Sequence, residues 1–225
     1  MKIVGIIPAR YASTRYPGKP LALLLGKPLI YWVWGRAKQV KLLNDLIVAT
    51  DDQRIVRAVE RFSGKAMLTS KKCRSGTERC AEAARKISAD FIVNIQGDEP
   101  LISPLVITQV INASYKEKDV FLTTAVVKIR NKEEYLDENI VKVVFDHNNY
   151  ALYFSRAPVP YPQGGVIERF SFYKHLGVYV YPKKSLLEFK SLLPTPLEKI
   201  ENLEPLRILE NGYRIRIVLV KKDSY

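Results

Sequence analysis

Short apolar runs alternate with helical patterns along the first half of the chain. The runs are bounded by proline, glycine or polar residues, as buried strands are, and the segments between them place apolar residues at helical spacings. This alternation predicts parallel strands joined by right-handed crossovers, and therefore a doubly wound sheet. The predicted strands are KIVGIIP (2–8), DLIVATDD (45–52), KAMLTS (65–70) and DFIVNIQ (90–96), and the predicted helices span about 28–40, 53–62, 75–87 and 103–118.

The pattern changes at about residue 120 to consecutive strand-like runs. The pair Asn148-Asn149 stands between two of these runs and indicates a hairpin turn. A helix is predicted at 196–212, followed by a last strand, YRIRIVLV. We therefore predict one α/β domain over residues 1–225, with a mainly parallel sheet and a smaller β-rich excursion at about 120–182. The runs of the excursion are FLTTAVVKI, IVKVVFD, YALYFS and HLGVYVYP.

The composition is that of an ordinary folded protein with an excess of positive charge. The 225 residues carry a formal net charge of +13, a feature of nucleic-acid binders. The basic residues are scattered rather than clustered, so we interpret them as a solvated surface and expect no nucleic-acid partner. No apolar run approaches the roughly 18 residues of a membrane span, and no secretory signal opens the chain. We expect a cytoplasmic protein without a membrane span, in which Cys73 and Cys80 are reduced thiols.

A loop with three cations follows the first predicted strand, in the sequence IIPARYASTRYPGKP (6–20). Arg10, Arg15 and Lys19 predict a phosphate-binding loop, because ligands of doubly wound sheets lie at the carboxyl ends of the strands. The loop is not a Walker A motif, since Pro20 stands where that motif has the Ser or Thr that binds magnesium. A solvated surface loop is the alternative interpretation.

Two further motifs end near the same predicted edge. NIQGDEP (94–100) places Asp98 and Glu99 after a buried strand, so we expect at least one acid at the carboxyl edge of the sheet. Magnesium is typically held by one or two carboxylates together with phosphate oxygens. The alternative is an Asp-initiated turn before the following proline. RSGTER (74–79) has Ser75 and Glu78 at the spacing of a capping box, and a helix start also attracts phosphate. Capping alone is the alternative there.

Together these stretches resemble the 3-deoxy-manno-octulosonate (Kdo) cytidylyltransferases, also called CMP-Kdo synthetases. IIPARYASTRYPGKPL, SGTER and VNIQGDEP occur in the order and spacing of that family, and the similarity continues through VKVVFD, YALYFSRAPVPY, HLGVYVY, PLEKIENLE and LRILENG. The resemblance implies a nucleotide-diphospho-sugar transferase fold. It implies transfer of CMP from CTP to Kdo with release of pyrophosphate, for lipopolysaccharide assembly. It also implies Mg²⁺ as cofactor, and a homodimer that forms through the β-rich excursion.

Site roles follow from the resemblance, position by position. Lys19, Arg10 and Asp98 are expected to be catalytic, and Asp98 is expected to bind the metal. No catalytic serine or cysteine is expected, because the nucleophile comes from the sugar. An arginine guanidinium matches the planar carboxylate of an acidic sugar. Without the resemblance, the alternatives are a surface arginine at a strand end for Arg156 and a structural histidine for His175. The expected nucleotide-binding residues are Ala9, Arg10, Arg15, Lys19, Ser75, Gly76, Thr77, Gln96 and Gly97, and the expected sugar-binding residues are Arg156, His175 and Tyr179.

Two features depart from the family pattern. The family reads LEQLR where this chain reads LEPLR, so Pro205 replaces a glutamine implied to contact the sugar. We expect Pro205 to kink the predicted helix 196–212, at a cost of about 3 kcal/mol in a helix interior. The family's closing segment, similar to GVDTPEDL and a final helix, has no counterpart before KKDSY, and Asp223 is not assigned the metal role of that segment.

Three hypotheses follow from the sequence. The first is the Kdo enzyme, or the same chemistry on another acidic sugar such as 8-amino-Kdo or a sialic acid. The second is a catalytically impaired, nucleotide-binding homologue, which the two departures favour. The third is a nucleic-acid binder, which only the net charge favours.

Overall fold

Strands and helices alternate along the first half of the chain, and a strand-rich segment follows them. The computed structural model describes residues 1–12, 16–117, 119–164 and 170–221. No helix within these residues is both long enough and apolar enough to cross a membrane. In chain order the elements are β1 (Ile3–Ala9), a 3-10 turn (Lys19–Leu21), β2 (Leu23–Leu24), β3 (Lys27–Pro28), α1 (Leu29–Ala37), β4 (Asp45–Thr50), α2 (Gln53–Glu60), β5 (Lys65–Leu68), α3 (Gly76–Ala84), β6 (Phe91–Ile95), α4 (Pro104–Ser114), β7 (Leu122–Lys128), α5 (Lys132–Leu136), β8 (Lys142–Phe145), β9 (Ala151–Ser155), β10 (Tyr173–Pro182), α6 (Lys183–Phe189), α7 (Pro196–Glu201), α8 (Glu204–Glu210) and β11 (Ile215–Val220).

A mixed, mainly parallel sheet forms the centre of the molecule. In the described part of the chain the sheet has nine strands, in the order β11-β7-β10-β6-β1-β4-β5, and the pair β8-β9 joins it through β10. β1 is parallel to β4 and β6, and β10 runs antiparallel between β6 and β7. The carboxyl ends of β1, β4 and β6 therefore lie at one edge, as the doubly wound prediction requires.

Both faces of the sheet are buried, which explains the continuous apolar runs of its central strands. In β1 the side chains of Ile3 and Ile7 pack on one face, with residues of α1, α2 and α4. Val4 and Ile6 pack on the other face, with residues of α3, α6 and α8. Because successive strand residues point to opposite faces, a strand covered by helices on both sides is apolar at every position.

The β-rich segment at about 120–182 contributes both to the central sheet and to a hairpin. Its strands β7 and β10 lie in the sheet, whereas β8 and β9 pair antiparallel beside β10. The hairpin turn at Asn148-Asn149 is confirmed, and Asn149 has a left-handed backbone with φ of 59°. Asparagine tolerates this conformation better than most residues do.

The predicted helix 196–212 is wrong, since the chain forms two short helices there. Asn202 ends α7 in a left-handed conformation, and α8 begins two residues later. Pro205 lies in the first turn of α8, where its missing N–H has no helical partner to lose, so the expected kink does not occur. A buried ion pair joins the two helices, with Arg207 Nε donating to Glu198 Oε2 at 2.7 Å.

Replacing Pro205 with alanine is expected to destabilise the protein by about 1 kcal/mol. Alanine gives the unfolded chain more freedom and removes buried carbon atoms. A proline that kinked a helix would give the opposite sign, a gain of about 3 kcal/mol. Urea unfolding of the two proteins measures the difference. Pro104→Ala is the matched control, because Pro104 also lies in a first helical turn.

Candidate active site

A cleft of about 1250 Å³ opens over the carboxyl ends of the central strands. β1 and β4 are in register up to Ala9 and Thr50, and the loop after β6 continues beside them. Arg15 lies outside the described residues. The predicted site residues that line this cleft are Ala9, Arg10, Lys19, Ser75, Gly76, Gln96, Gly97, Asp98 and Arg156.

Lys19 and Asp98 meet directly at the cleft wall. Lys19 Nζ donates to Asp98 Oδ2 at 2.7 Å, although the two residues are 79 positions apart in the chain. Both side chains are about half exposed, at 44% and 53%. An ion pair with this exposure contributes little stability, so ligand groups of matching charge can replace either partner at low cost.

Glycine at two positions shapes the wall around this pair. A Cβ atom on Gly97 would lie 2.5 Å from the carbonyl oxygen of Pro8, so only glycine allows the loop after β6 to approach the end of β1. Gly18 has a left-handed φ of 74°, which glycine adopts without strain. Lys19 follows it at the start of the 3-10 turn, immediately before the buried Pro20.

The opening loop is anchored by contacts that the sequence motifs do not reveal. The backbone N–H of Gly18 donates to the carbonyl oxygen of Tyr11 at 2.8 Å, which closes the loop. The N–H of Tyr11 donates to Asp51 Oδ1 at 3.2 Å, and Asp51 Oδ2 accepts from Arg79 Nη2 at 2.9 Å. Arg54 stacks over the Tyr11 ring at 3.5 Å. The acidic pair after β4 was the available signal for Asp51, but no spacing rule connects it to Arg79.

The N-terminus of α3 faces the cleft through Ser75 and Gly76. Ser75 Oγ accepts from the N–H of Glu78 at 3.1 Å, so the predicted capping is confirmed. The second hydrogen bond of a capping box, from the N–H of Ser75 to the Glu78 carboxylate, was wrongly predicted, because Glu78 Oε2 accepts from the N–H of Arg74 instead. Thr77 does not line this cleft, because its side chain is buried behind the wall.

The thiol of Cys73 also lies on the wall of the large cleft. It donates to Glu82 Oε2 at 3.3 Å. Burial and this carboxylate raise the pKa of Cys73 to about 11, so the thiol is protonated near neutral pH and is a poor nucleophile. Cys73 and Cys80 are both free, as predicted.

A smaller cleft of about 180 Å³ adjoins the large one and contains His175 and Tyr179. The two clefts share Gln96, Asn202 and Glu204 in their walls. Glu204 is a wall residue that the sequence motifs did not predict, because Pro205 is the residue that stands out in the stretch LEPLR. The remaining wall of the smaller cleft is mostly apolar and consists of Val141, Phe154, Leu203 and Pro205.

The ring of His175 is neutral near pH 7. Burial lowers the pKa of His175 to about 4. The hydroxyl of Thr124 donates to the carbonyl oxygen of Val178 at 2.7 Å and lies 2.9 Å from His175 Nε2. We infer that Nε2 carries the proton and donates to Thr124, which leaves Nδ1 as an acceptor. Burial also raises the pKa of Tyr179 above its usual value, so its hydroxyl stays protonated.

Arg156 is fixed at the boundary of the large cleft by backbone carbonyls. Its Nε donates to the carbonyl oxygen of Glu201 at 2.9 Å, and its Nη1 donates to that of Glu138 at 3.1 Å. The Glu201 carboxylate accepts from Ser155 Oγ and from the N–H of Arg156, which holds the end of β9. These contacts orient the guanidinium, and no carboxylate of the described residues forms an ion pair with it.

Sequence comparison places the chain among nucleotidyltransferases, as the geometry of the cleft indicates. The sequence model of the cytidylyltransferase family matches residues 4–217. The chain is 46% identical to a 3-deoxy-manno-octulosonate cytidylyltransferase of Geotalea uraniireducens, covering 100% of this chain and 93% of the relative. It is 49% identical to the enzyme so named in Fusobacterium nucleatum, covering 97% and 88%. It is 44% identical to the mitochondrial enzyme of Arabidopsis thaliana, covering 100% and 78%.

One solved structure gives the same assignment, and a more distant one shares the fold. The structure of a CMP:2-keto-3-deoxy-manno-octonic acid synthetase complexed with CTP superposes with a TM-score of 0.93 at 39% identity, covering 99% of this chain and 91% of that one. A cytidylyltransferase of Leptospira borgpetersenii, at 16% identity and a TM-score of 0.63, shares the fold. The resemblance drawn from the motifs is confirmed: the chain belongs to the cytidylyltransferase family and, within it, to the 3-deoxy-manno-octulosonate cytidylyltransferases.

Proposed function

We propose that this protein transfers CMP from CTP to the anomeric hydroxyl of Kdo and releases pyrophosphate, as a step of lipopolysaccharide assembly. The observation that carries the proposal is the contact between Lys19 and Asp98 at the sheet edge, 2.7 Å apart. It brings a cation and a hard-metal ligand to one point, next to Arg10. A polyphosphate with a bound divalent cation requires this combination of charges.

The reaction places its largest charge changes on the phosphates. The sugar oxygen attacks the α-phosphorus of CTP, the bond from that phosphorus to the β-phosphate oxygen breaks, and pyrophosphate leaves. Lys19 is held by its contact with Asp98, and the backbone before it is anchored by the bond from the N–H of Gly18 to the carbonyl oxygen of Tyr11. Arg10 lines the same cleft. Cations held in advance stabilise the developing charge without a reorganisation cost during the reaction. We assign Arg15 to the same triphosphate group.

The two substrates correspond to the two clefts. We assign the nucleotide to the wall formed by Ser75, Gly76, Gln96 and Gly97. The sugar acid takes the smaller cleft with His175 and Tyr179, and Arg156 binds its carboxylate from the boundary. The shared wall supports this arrangement, because it lets the sugar hydroxyl approach the α-phosphate directly.

Asp98 fits the role of a magnesium ligand. Its carboxylate is half exposed at the cleft wall, and magnesium typically combines one or two protein carboxylates with substrate phosphate oxygens. Within the described residues, no group of three or more His, Cys, Asp or Glu side chains forms a separate metal centre. When bound, Mg²⁺ would neutralise phosphate charge and orient the leaving group.

We retain the homodimer and the cytoplasmic location as predictions. Large apolar side chains are exposed on the β-rich segment, and exposed apolar surface is a feature of protein interfaces. Leu136, Leu152 and Tyr161 are 52%, 59% and 83% exposed. This exposure supports the segment as the contact between two copies.

A pyrophosphate-release assay tests the proposed function. The purified protein is supplied with CTP, Mg²⁺ and Kdo, and parallel reactions replace Kdo with 8-amino-Kdo or a sialic acid. Steady release with Kdo is expected. Release with another of these sugars alone would change the assigned acceptor, and CTP binding without release from any sugar would overturn the proposal in favour of an impaired homologue.

A further inference from the structure

Glu204 lies where the two clefts meet, and its carboxylate is only half satisfied. It lines both clefts. Oε2 accepts a hydrogen bond from Thr77 Oγ1 at 2.6 Å. Oε1 is buried and has no hydrogen-bond partner among the described residues. A buried carboxylate oxygen without a donor is unfavourable, so this atom is suited to accept a hydrogen bond from a bound ligand.

Thr77 is oriented by a second buried group. Asn94, on β6, is fully buried and lies with its Nδ2 at 3.4 Å from Thr77 Oγ1. An amide nitrogen can only donate, so the Thr77 oxygen accepts from Asn94 and its proton is directed to Glu204. The chain Asn94–Thr77–Glu204 therefore has one direction of hydrogen bonding, which assigns the Thr77 hydroxyl to Oε2. The side chain of Ser75 also interacts with this carboxylate.

Thr77 also connects two parts of the site that are far apart in sequence. It directly follows Ser75 and Gly76, which form the wall of the large cleft, and it is 127 positions from Glu204. Its hydroxyl is thus a direct side-chain link between the start of α3 and the start of α8. The link lies behind both clefts, where neither substrate would touch it.

We propose that Thr77 is a positioning residue for the acceptor sugar, acting through Glu204. It holds Oε2 of Glu204 so that Oε1 accepts a hydrogen bond from a sugar hydroxyl. This inference rests on the proposed function, because it requires a polyhydroxylated acceptor in the smaller cleft. It assigns Thr77 to the sugar side of the reaction, although its sequence neighbours belong to the nucleotide side.

Thr77→Val and Thr77→Ser test this role, because valine keeps the shape and serine keeps the hydroxyl. Thr77→Val is expected to raise KM for Kdo about tenfold, the effect of misplacing one buried hydrogen bond. The Kd of CTP, measured by calorimetry without sugar, is expected to stay within about twofold. Thr77→Ser is expected to restore KM for Kdo to near the wild-type value.

Thr108→Val is the matched control, since the Thr108 hydroxyl donates to the carbonyl oxygen of Pro104 within α4 and Thr108 lines neither cleft. An unchanged KM for Kdo in Thr77→Val would overturn the inference. An equal weakening of CTP binding and of Kdo binding in Thr77→Val would also overturn it, because that result indicates a structural role. A Thr77→Ser variant that does not restore KM for Kdo would indicate the same. Absence of turnover in the wild-type protein would instead refute the proposed function.

Discussion

Replacing Lys19 with methionine is expected to lower kcat/KM for CTP by about 100-fold or more. Methionine keeps much of the length of the lysine side chain and removes its charge. Removing one preorganised group that stabilises transition-state charge typically costs about 10²–10³ in rate. The backbone around Lys19 is fixed by Gly18 and the buried Pro20, so its cation is held in place before the substrate binds. Pyrophosphate release at saturating Kdo measures the loss.

Lys41→Met is the control for this substitution. Lys41 is exposed in the turn after α1 and lines neither cleft. It is expected to change kcat/KM by less than about twofold while removing the same net charge. If Lys41→Met reduced activity as much as Lys19→Met, the effect of Lys19 would be one of overall charge and not of position. Lys19→Arg is expected to retain part of the activity, because it keeps the cation but changes its reach.

The central sheet was predictable because its strands obey a strong and simple constraint. A parallel strand covered on both faces is apolar along its length, and β1 shows this directly in its sequence. In β6 the pattern is interrupted once, by the buried Asn94. The break between α7 and α8 was not predictable in the same way. Pro205 fits either a kinked helix or a first helical turn, and the left-handed Asn202 that decides between them leaves no periodic signal.

The candidate site was predictable to the extent that it follows from the sheet edge. Loops after successive parallel strands must lie together, which brought Lys19 near Asp98 before any contact was known. Contacts that depend on side chains from distant elements had no such rule. Thr77 with Glu204 and Asp51 with Arg79 are examples, as these pairs are 127 and 28 positions apart. The expectation for His175 and Tyr179 came from family resemblance alone.

Replacing Asp98 with asparagine is expected to lower kcat about 100-fold or more and to raise the Mg²⁺ concentration needed for half-maximal activity. Asparagine has nearly the same shape, and its oxygen can still accept a hydrogen bond from Lys19 Nζ. It lacks the negative charge by which a carboxylate binds a hard cation. The change therefore isolates the charge of Asp98 from its contact with Lys19, which is 2.7 Å long.

The Mg²⁺ dependence separates the two residues of the pair. Lys19→Met is expected to lower the rate with little change in the half-maximal Mg²⁺ concentration, whereas Asp98→Asn changes both. Asp90→Asn is the matched control, because Asp90 is exposed at the opposite end of β6, where its Oδ2 accepts a hydrogen bond from the N–H of Lys2. Pyrophosphate release across a Mg²⁺ titration distinguishes the variants. A wild-type Mg²⁺ dependence in Asp98→Asn would show that the cation binds elsewhere, and Asp98 would then serve only to hold Lys19 in place.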